Sequence, residues 1–127
     1  MAKLAIVTDS TTSIPEHLLI ELKIRTVPYY IHRGAEVLRD LVTIDRDSFY
    51  RWLPTAKQLP TTASPGPGDY VTAYECLAGE GVEEIVSIHM TSKGSGAYQA
   101  AMAAKGMIAE LLPRLRVEVV DTLNVSM

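Results

Sequence analysis

The stretch Ser87–Ala101, "SIHMTSKGSGAYQAA", decides how the chain is read. It opens as the end of an apolar, β-branched run and closes as an alanine-rich helix. Between the two lie Thr91, Ser92 and Ser95, with Gly94 and Gly96, and a single charge, Lys93. A strand leading into a helix through a short polar turn is the unit of a parallel α/β sheet. Hydroxyls before a helix serve first as N-caps, each worth about 1 kcal/mol. Three hydroxyls and two glycines exceed what one cap needs. The helix N-terminus also offers free N–H groups that favour an anion.

Working outward, the same alternation repeats. Residues 3–8, "KLAIVT", form a short apolar run bounded by Asp9 and Ser10, as a buried strand requires. "TTSIPEHLLIELK" then reads as a helix, with Pro15 near its first turn, Leu18, Leu19 and Leu22 on one face, and Ser13 as a cap. "IRTVPYYIHRGAEVL" is read as a strand from about 24 to 32 with a hairpin return near 36–39. Pro28 marks an edge or an irregular start. "DRDSFYRWL" is a short helix with Asp45 or Asp47 near its start. Residues 59–71, "LPTTASPGPGDYV", are the clear loop. A helix to Ala78, a strand at 84–89, a helix from about Ser95 to Leu112 and a strand at 116–121 complete the pattern. The expected fold is a three-layer α/β/α arrangement around a mainly parallel sheet.

Composition narrows the function. The 127 residues suit one domain, and 47% are hydrophobic, enough for a real core. Twelve basic and fifteen acidic residues give a net charge of −3, with no Lys/Arg run, which argues against nucleic acid and anionic membrane surfaces. The single cysteine, Cys76, excludes an internal disulfide and suits a reducing compartment. No apolar run is long enough to span a bilayer and the start is not a signal peptide, so a cytoplasmic protein without stable membrane insertion is expected. The final strand and polar turn suggest the front part of a longer protein.

Three polar junctions share one address: "DSTTS" (9–13), "TSKGS" (91–95) and "DTLNVS" (121–126) each follow a strand. In an open parallel sheet, ligands bind outside the carboxyl ends of the strands. Other chemistries fit less well. His17, His32 and His89 lack metal-ligand spacing. "KGSGA" contains neither a phosphate-loop consensus nor the glycine spacing of a nucleophile elbow around Ser95. Trp52, Tyr29 and Tyr30 read as packing residues. The residues by themselves point to a binder of a small anionic group, held by hydroxyls and backbone amides. A phosphoryl- or acyl-transfer domain using Ser95 or Asp9, and a domain whose hydroxyls only cap helices, remain as alternatives.

"AIVTDSTTSIP", "LPTTASPGPGDY", "IHMTSKGSGAYQAA" and "VEVVDTLNVSM", in this order and spacing, resemble the DegV family over essentially the whole chain. The resemblance implies a fatty-acid-binding protein with two α/β domains, of which residues 1–127 would be the N-terminal one. It implies no catalytic residue of its own and no cofactor. It further implies a role as the binding subunit of fatty acid kinase, presenting the carboxylate of a long-chain fatty acid to a separate ATP-binding kinase subunit. The family's ligands, a Thr in T-S-Q-P and a Ser in L-S-G-T, fall on Thr62 and Ser95. Thr61, Ser64, Ser92, Gly94, Gly96, Asp9 and Ser10 complete the expected ligand-binding set. Ala63 and Ser64 replace the family's Ser-Gln, Gly94 its Leu, and Ala97 its Thr.

Overall fold

Residues 3–125 are described in a computed structural model. Four strands, β1 (Leu4–Asp9), β2 (Ile24–Val27), β6 (Glu84–His89) and β7 (Arg116–Asp121), make one sheet in the order β2-β1-β6-β7. All three pairings are parallel. Helices α1 (Glu16–Glu21), α3 (Pro67–Gly79) and α4 (Ala97–Leu111) flank it. The connections β1→α1→β2 and β6→α4→β7 step in opposite directions along the sheet. Right-handed crossovers, the rule for such units, therefore put α1 and α4 on opposite faces.

The core lies under α3 and α4. Val7, Ile85 and Val117 from the sheet meet Tyr70, Tyr74 and Leu77 of α3 and Ala101, Ala104 and Ile108 of α4. Small side chains at Ala97, Ala100, Ala101 and Ala104 allow α4 to lie close against its neighbours, all four being buried. The opposite face is covered less: Leu4 and Val120 are 55% and 41% exposed. Among the described residues, no helix is long and apolar enough to cross a membrane.

Three expectations need correction. The strand expected over 24–32 is two strands in two sheets. β2 stops at Val27, and β3 (Tyr30–Arg33) begins a second, antiparallel sheet of order β4-β3-β5. Pro28, with no N–H to give a ladder, stands at the break. The hairpin return does form, as β4 (Glu36–Arg39), with Gly34 at φ +60° in its turn. The clear loop holds β5 (Thr61–Ala63), which pairs with β3 so that Thr62 faces Ile31. Helix α2 (Arg46–Trp52) is capped by Asp45, whose side chain accepts the Ser48 amide at 2.7 Å. Ser13 is no cap: it sits in the left-handed region after a short 3-10 turn, and Pro15 occupies the N-cap of α1.

Candidate functional site

The carboxyl ends of β1 and β6 are neighbours where the connections diverge, the position at which open α/β sheets bind ligands. Beneath it runs a chain of buried polar groups. Strand alternation turns Ser87 and His89 to the same face as Ile85, under α3. The Tyr74 hydroxyl donates to Ser87 Oγ at 2.7 Å, and Ser87 meets His89 Nε2 at 2.6 Å. His89 Nδ1 lies 3.3 Å from Asp9 Oδ2. The same carboxylate accepts the Met90 amide at 3.3 Å and the Thr11 amide at 3.0 Å, and the Thr11 hydroxyl as well. The set is complete with one ring proton, at Nδ1: Tyr74 donates to Ser87, Ser87 to Nε2, and Nδ1 to Asp9.

Burial pushes the pKa of Asp9 up, but the hydrogen bonds from His89, Thr11 and Met90 outweigh it and hold the carboxylate below its ordinary range. Burial pushes Tyr74 up to about 12. Asp9, His89 and Ser87 stand in the order of a nucleophilic triad. All three are 0% exposed, however, and each polar atom is engaged within the network. A substrate has no approach to Ser87. The network instead ties the end of β1 to the end of β6.

Above it the turn after β6 is braced from both sides. The Thr91 amide donates to the Asn124 carbonyl at 2.8 Å, and the Thr122 hydroxyl to the His89 carbonyl at 2.8 Å. The Ser92 amide donates to Asp121 Oδ1 at 3.2 Å. Hydrogen bonds from Ser92 and the Leu123 amide lower the pKa of Asp121. Thus the third polar junction supports the second; its last residue, Ser126, lies outside the described residues. Gly96 is the N-cap of α4, and Ser95 Oγ accepts the Ala97 amide at 3.2 Å. A Cβ on Gly96 would meet Ser64 Oγ at 3.3 Å, so the glycine lets the β5 segment approach the turn.

A cavity of about 500 Å³ opens there. Thr62, Ser64, Gly94, Ser95, Gly96 and Tyr29 form polar wall, while Ile31, Ile44, Phe49, Pro60 and Met90 form apolar wall. The lining cation, Arg46, is already engaged: Nη2 donates to the Ser10 carbonyl at 2.7 Å and to Asp40 Oδ2 at 3.1 Å. Asp40 and Asp45 line the cavity as well.

Of the nine residues expected from sequence, Thr62, Ser64, Gly94, Ser95 and Gly96 meet at this cavity. Thr61 is adjacent in β5, but alternation turns its side chain to the other face. Ser92 lies in the braced part of the turn. Asp9 and Ser10 lie buried below, Asp9 in the network and Ser10 Oγ accepting the Tyr29 amide at 3.0 Å.

Sequence reasoning passed over Tyr29, Ser87, His89 and Tyr74. Tyr29 is buried with its hydroxyl hydrogen-bonded to Ser95 Oγ and 3.2 Å from Met90 Sδ. Burial, joined by the nearby Asp9 charge, raises the Tyr29 pKa against the lowering effect of Ser95. Ser87 and His89 did carry a signal: two polar residues on one face of an otherwise apolar strand. Tyr29 carried none, because its place depends on the turn at Pro28. Ser95 has as its side-chain partners Tyr29 and the Ala97 amide, among the described residues, and neither is a general base.

The model of the DegV family, whose description calls its proteins uncharacterised, matches residues 3–127. The chain belongs to the DegV family. It is 41% identical over 108 residues to a DegV domain-containing protein of Halalkalibacterium halodurans, covering 85% of this chain and 38% of that relative. Among solved structures it is similar to Bacillus subtilis DegV, described as a fatty acid binding protein, with TM-score 0.88 and 31% identity, covering 99% of this chain and 43% of that one. It is also similar to the Streptococcus pneumoniae fatty acid kinase B3 protein, solved loaded with linoleic acid, with TM-score 0.77 and 25% identity, covering 98% of this chain and 43% of that one. The chain thus spans about two fifths of the length of the relatives it matches.

Proposed function

We propose that this chain forms the head-group half of a fatty-acid-binding protein. Thr62 and Ser95 hold the ligand carboxylate, and the acyl tail leaves along apolar wall. The observation that carries this is the single cavity in which both hydroxyls meet an apolar wall while the lining Arg46 is occupied elsewhere. The Bacillus subtilis relative, described as a fatty acid binding protein, and the Streptococcus pneumoniae relative, loaded with linoleic acid, support the same reading. A carboxylate held by neutral donors needs no countercharge. The tail supplies most of the affinity, at about 0.8 kcal/mol per buried CH₂.

The protein itself is not the catalyst in this account. A carboxylate is already ionised near neutral pH, so its oxygen can attack a phosphorus atom without a base. The role is to present that oxygen to a separate ATP-binding kinase subunit, which supplies the phosphoryl group. A cytoplasmic location is part of the same proposal.

The test is lipid extraction and mass spectrometry of the longest encoded form of the protein, beside a Thr62→Ala/Ser95→Ala variant. One fatty acid per protein, depleted in the variant, is expected. A wild-type protein that stays empty after incubation with long-chain fatty acids refutes the reading.

A further inference from the structure

We infer that Tyr29 is a positioning residue of the head-group site: its phenol O–H donates to Ser95 Oγ and thereby directs the only Ser95 proton at the ligand carboxylate. This rests on the carboxylate reading above and extends it to a residue outside the expected set.

The count of donors at Ser95 sets the direction of the bond. A serine hydroxyl has one proton and two lone pairs. The Ala97 amide takes one lone pair of Ser95 at 3.2 Å. Tyr29 hydroxyl is the other side-chain partner. If Tyr29 donates, both lone pairs are filled and the proton of Ser95 is left for the cavity that Ser95 lines. The alternative rotor has Ser95 donating to Tyr29, with the phenol proton turned to Met90 Sδ at 3.2 Å. A thioether is a weak acceptor, and a carboxylate is a strong one. A bound carboxylate therefore selects the first arrangement, and donation into Ser95 strengthens the bond that Ser95 gives.

Tyr29 is well placed to hold this geometry. It is 9% exposed, its amide is fixed to Ser10 Oγ at 3.0 Å, and Pro28 precedes it. Ser10 and Tyr29 thus connect the end of β1 to the cavity wall. Burial and the nearby Asp9 charge keep the phenol protonated, so the donor is present at neutral pH.

The test uses the longest encoded form of the protein, with myristate and myristyl alcohol competing against a fluorescent fatty acid. Tyr29→Phe keeps the ring and removes the donor. It is expected to weaken myristate by roughly fivefold, the effect of one hydrogen bond, and to leave the alcohol nearly unchanged. In a Ser95→Ala background it is expected to cost nothing further. Losses that multiply in Tyr29→Phe/Ser95→Ala, or equal losses for acid and alcohol, each overturn the inference while sparing the carboxylate reading. A wild type that binds neither probe overturns both.

Discussion

Replacing Asp9 with asparagine probes the buried network most sharply. Asn keeps one carbonyl oxygen and turns the other acceptor into an NH₂ donor. If the oxygen stays with Thr11, the NH₂ faces His89 Nδ1 and the Met90 amide. The histidine can adapt by moving its proton to Nε2. Ser87 then accepts from the ring and can no longer donate to it, so one hydroxyl proton of the Ser87–Tyr74 pair loses its acceptor. Two donors are left without partners: the Met90 N–H, opposite the new NH₂, and one hydroxyl of the Ser87–Tyr74 pair, in the core. At about 1–3 kcal/mol for each stranded donor, this orientation costs about 2–6 kcal/mol, and the flipped amide, which gives its NH₂ to the Thr11 hydroxyl and strands the Thr11 N–H, costs about 1–3 kcal/mol, either one a large share of a small domain's stability. Urea unfolding of wild type and Asp9→Asn, with the midpoint and slope compared, measures it.

The pH dependence gives a second readout. The folded pKa of Asp9 lies below its unfolded value of 3.8. Its ionised form therefore stabilises the fold fully above that unfolded value. The contribution is lost as pH falls through the window below it, toward the folded pKa. Asp9→Asn should flatten this acid limb. A cost under about 1 kcal/mol, or an unchanged acid limb, would refute the donor count.

Other consequences follow from single contacts. Gly96→Ala brings a Cβ to 3.3 Å from Ser64 Oγ, so Ser64→Ala should raise the melting temperature of the Gly96→Ala protein more than it raises that of the wild type. Tyr74→Phe should cost about 1 kcal/mol in urea unfolding, because the Ser87 oxygen loses its donor while no new donor is stranded. Ile108→Ala, at a fully buried position of α4, should cost about 2–5 kcal/mol, and fatty-acid stoichiometry in the folded fraction should be unchanged.

The parallel sheet was legible because its strands are short apolar runs separated by helices, and because their junctions carry caps and turn residues. "EIVSIH" and "RVEVVD" keep their type in any such context. The antiparallel sheet was only half legible. The β3–β4 hairpin shows in "YIHRGAEVL", but the three residues of β5 take strand form through pairing with β3 and lie inside a Pro/Gly-rich segment. Pairing at a distance leaves no local periodicity to read. The site divides in the same way. Ser95 and its glycines lie at a junction that a strand-to-helix turn explains, whereas Thr62 came from resemblance to the family. That Ser64 approaches Gly96, and that Tyr29 meets Ser95, depends on how the two sheets are set together.

The most direct test of a carboxylate held by neutral donors is ¹³C NMR of carboxyl-labelled myristate bound to the longest encoded form of the protein, followed through a pH titration. Hydroxyls and amides that bond the ionised form should hold its pKa below that of an ordinary carboxylic acid, about 4–5, and Thr62→Ala/Ser95→Ala should raise it. A bound carboxyl that titrates at or above the ordinary value, and is indifferent to both substitutions, would contradict the account.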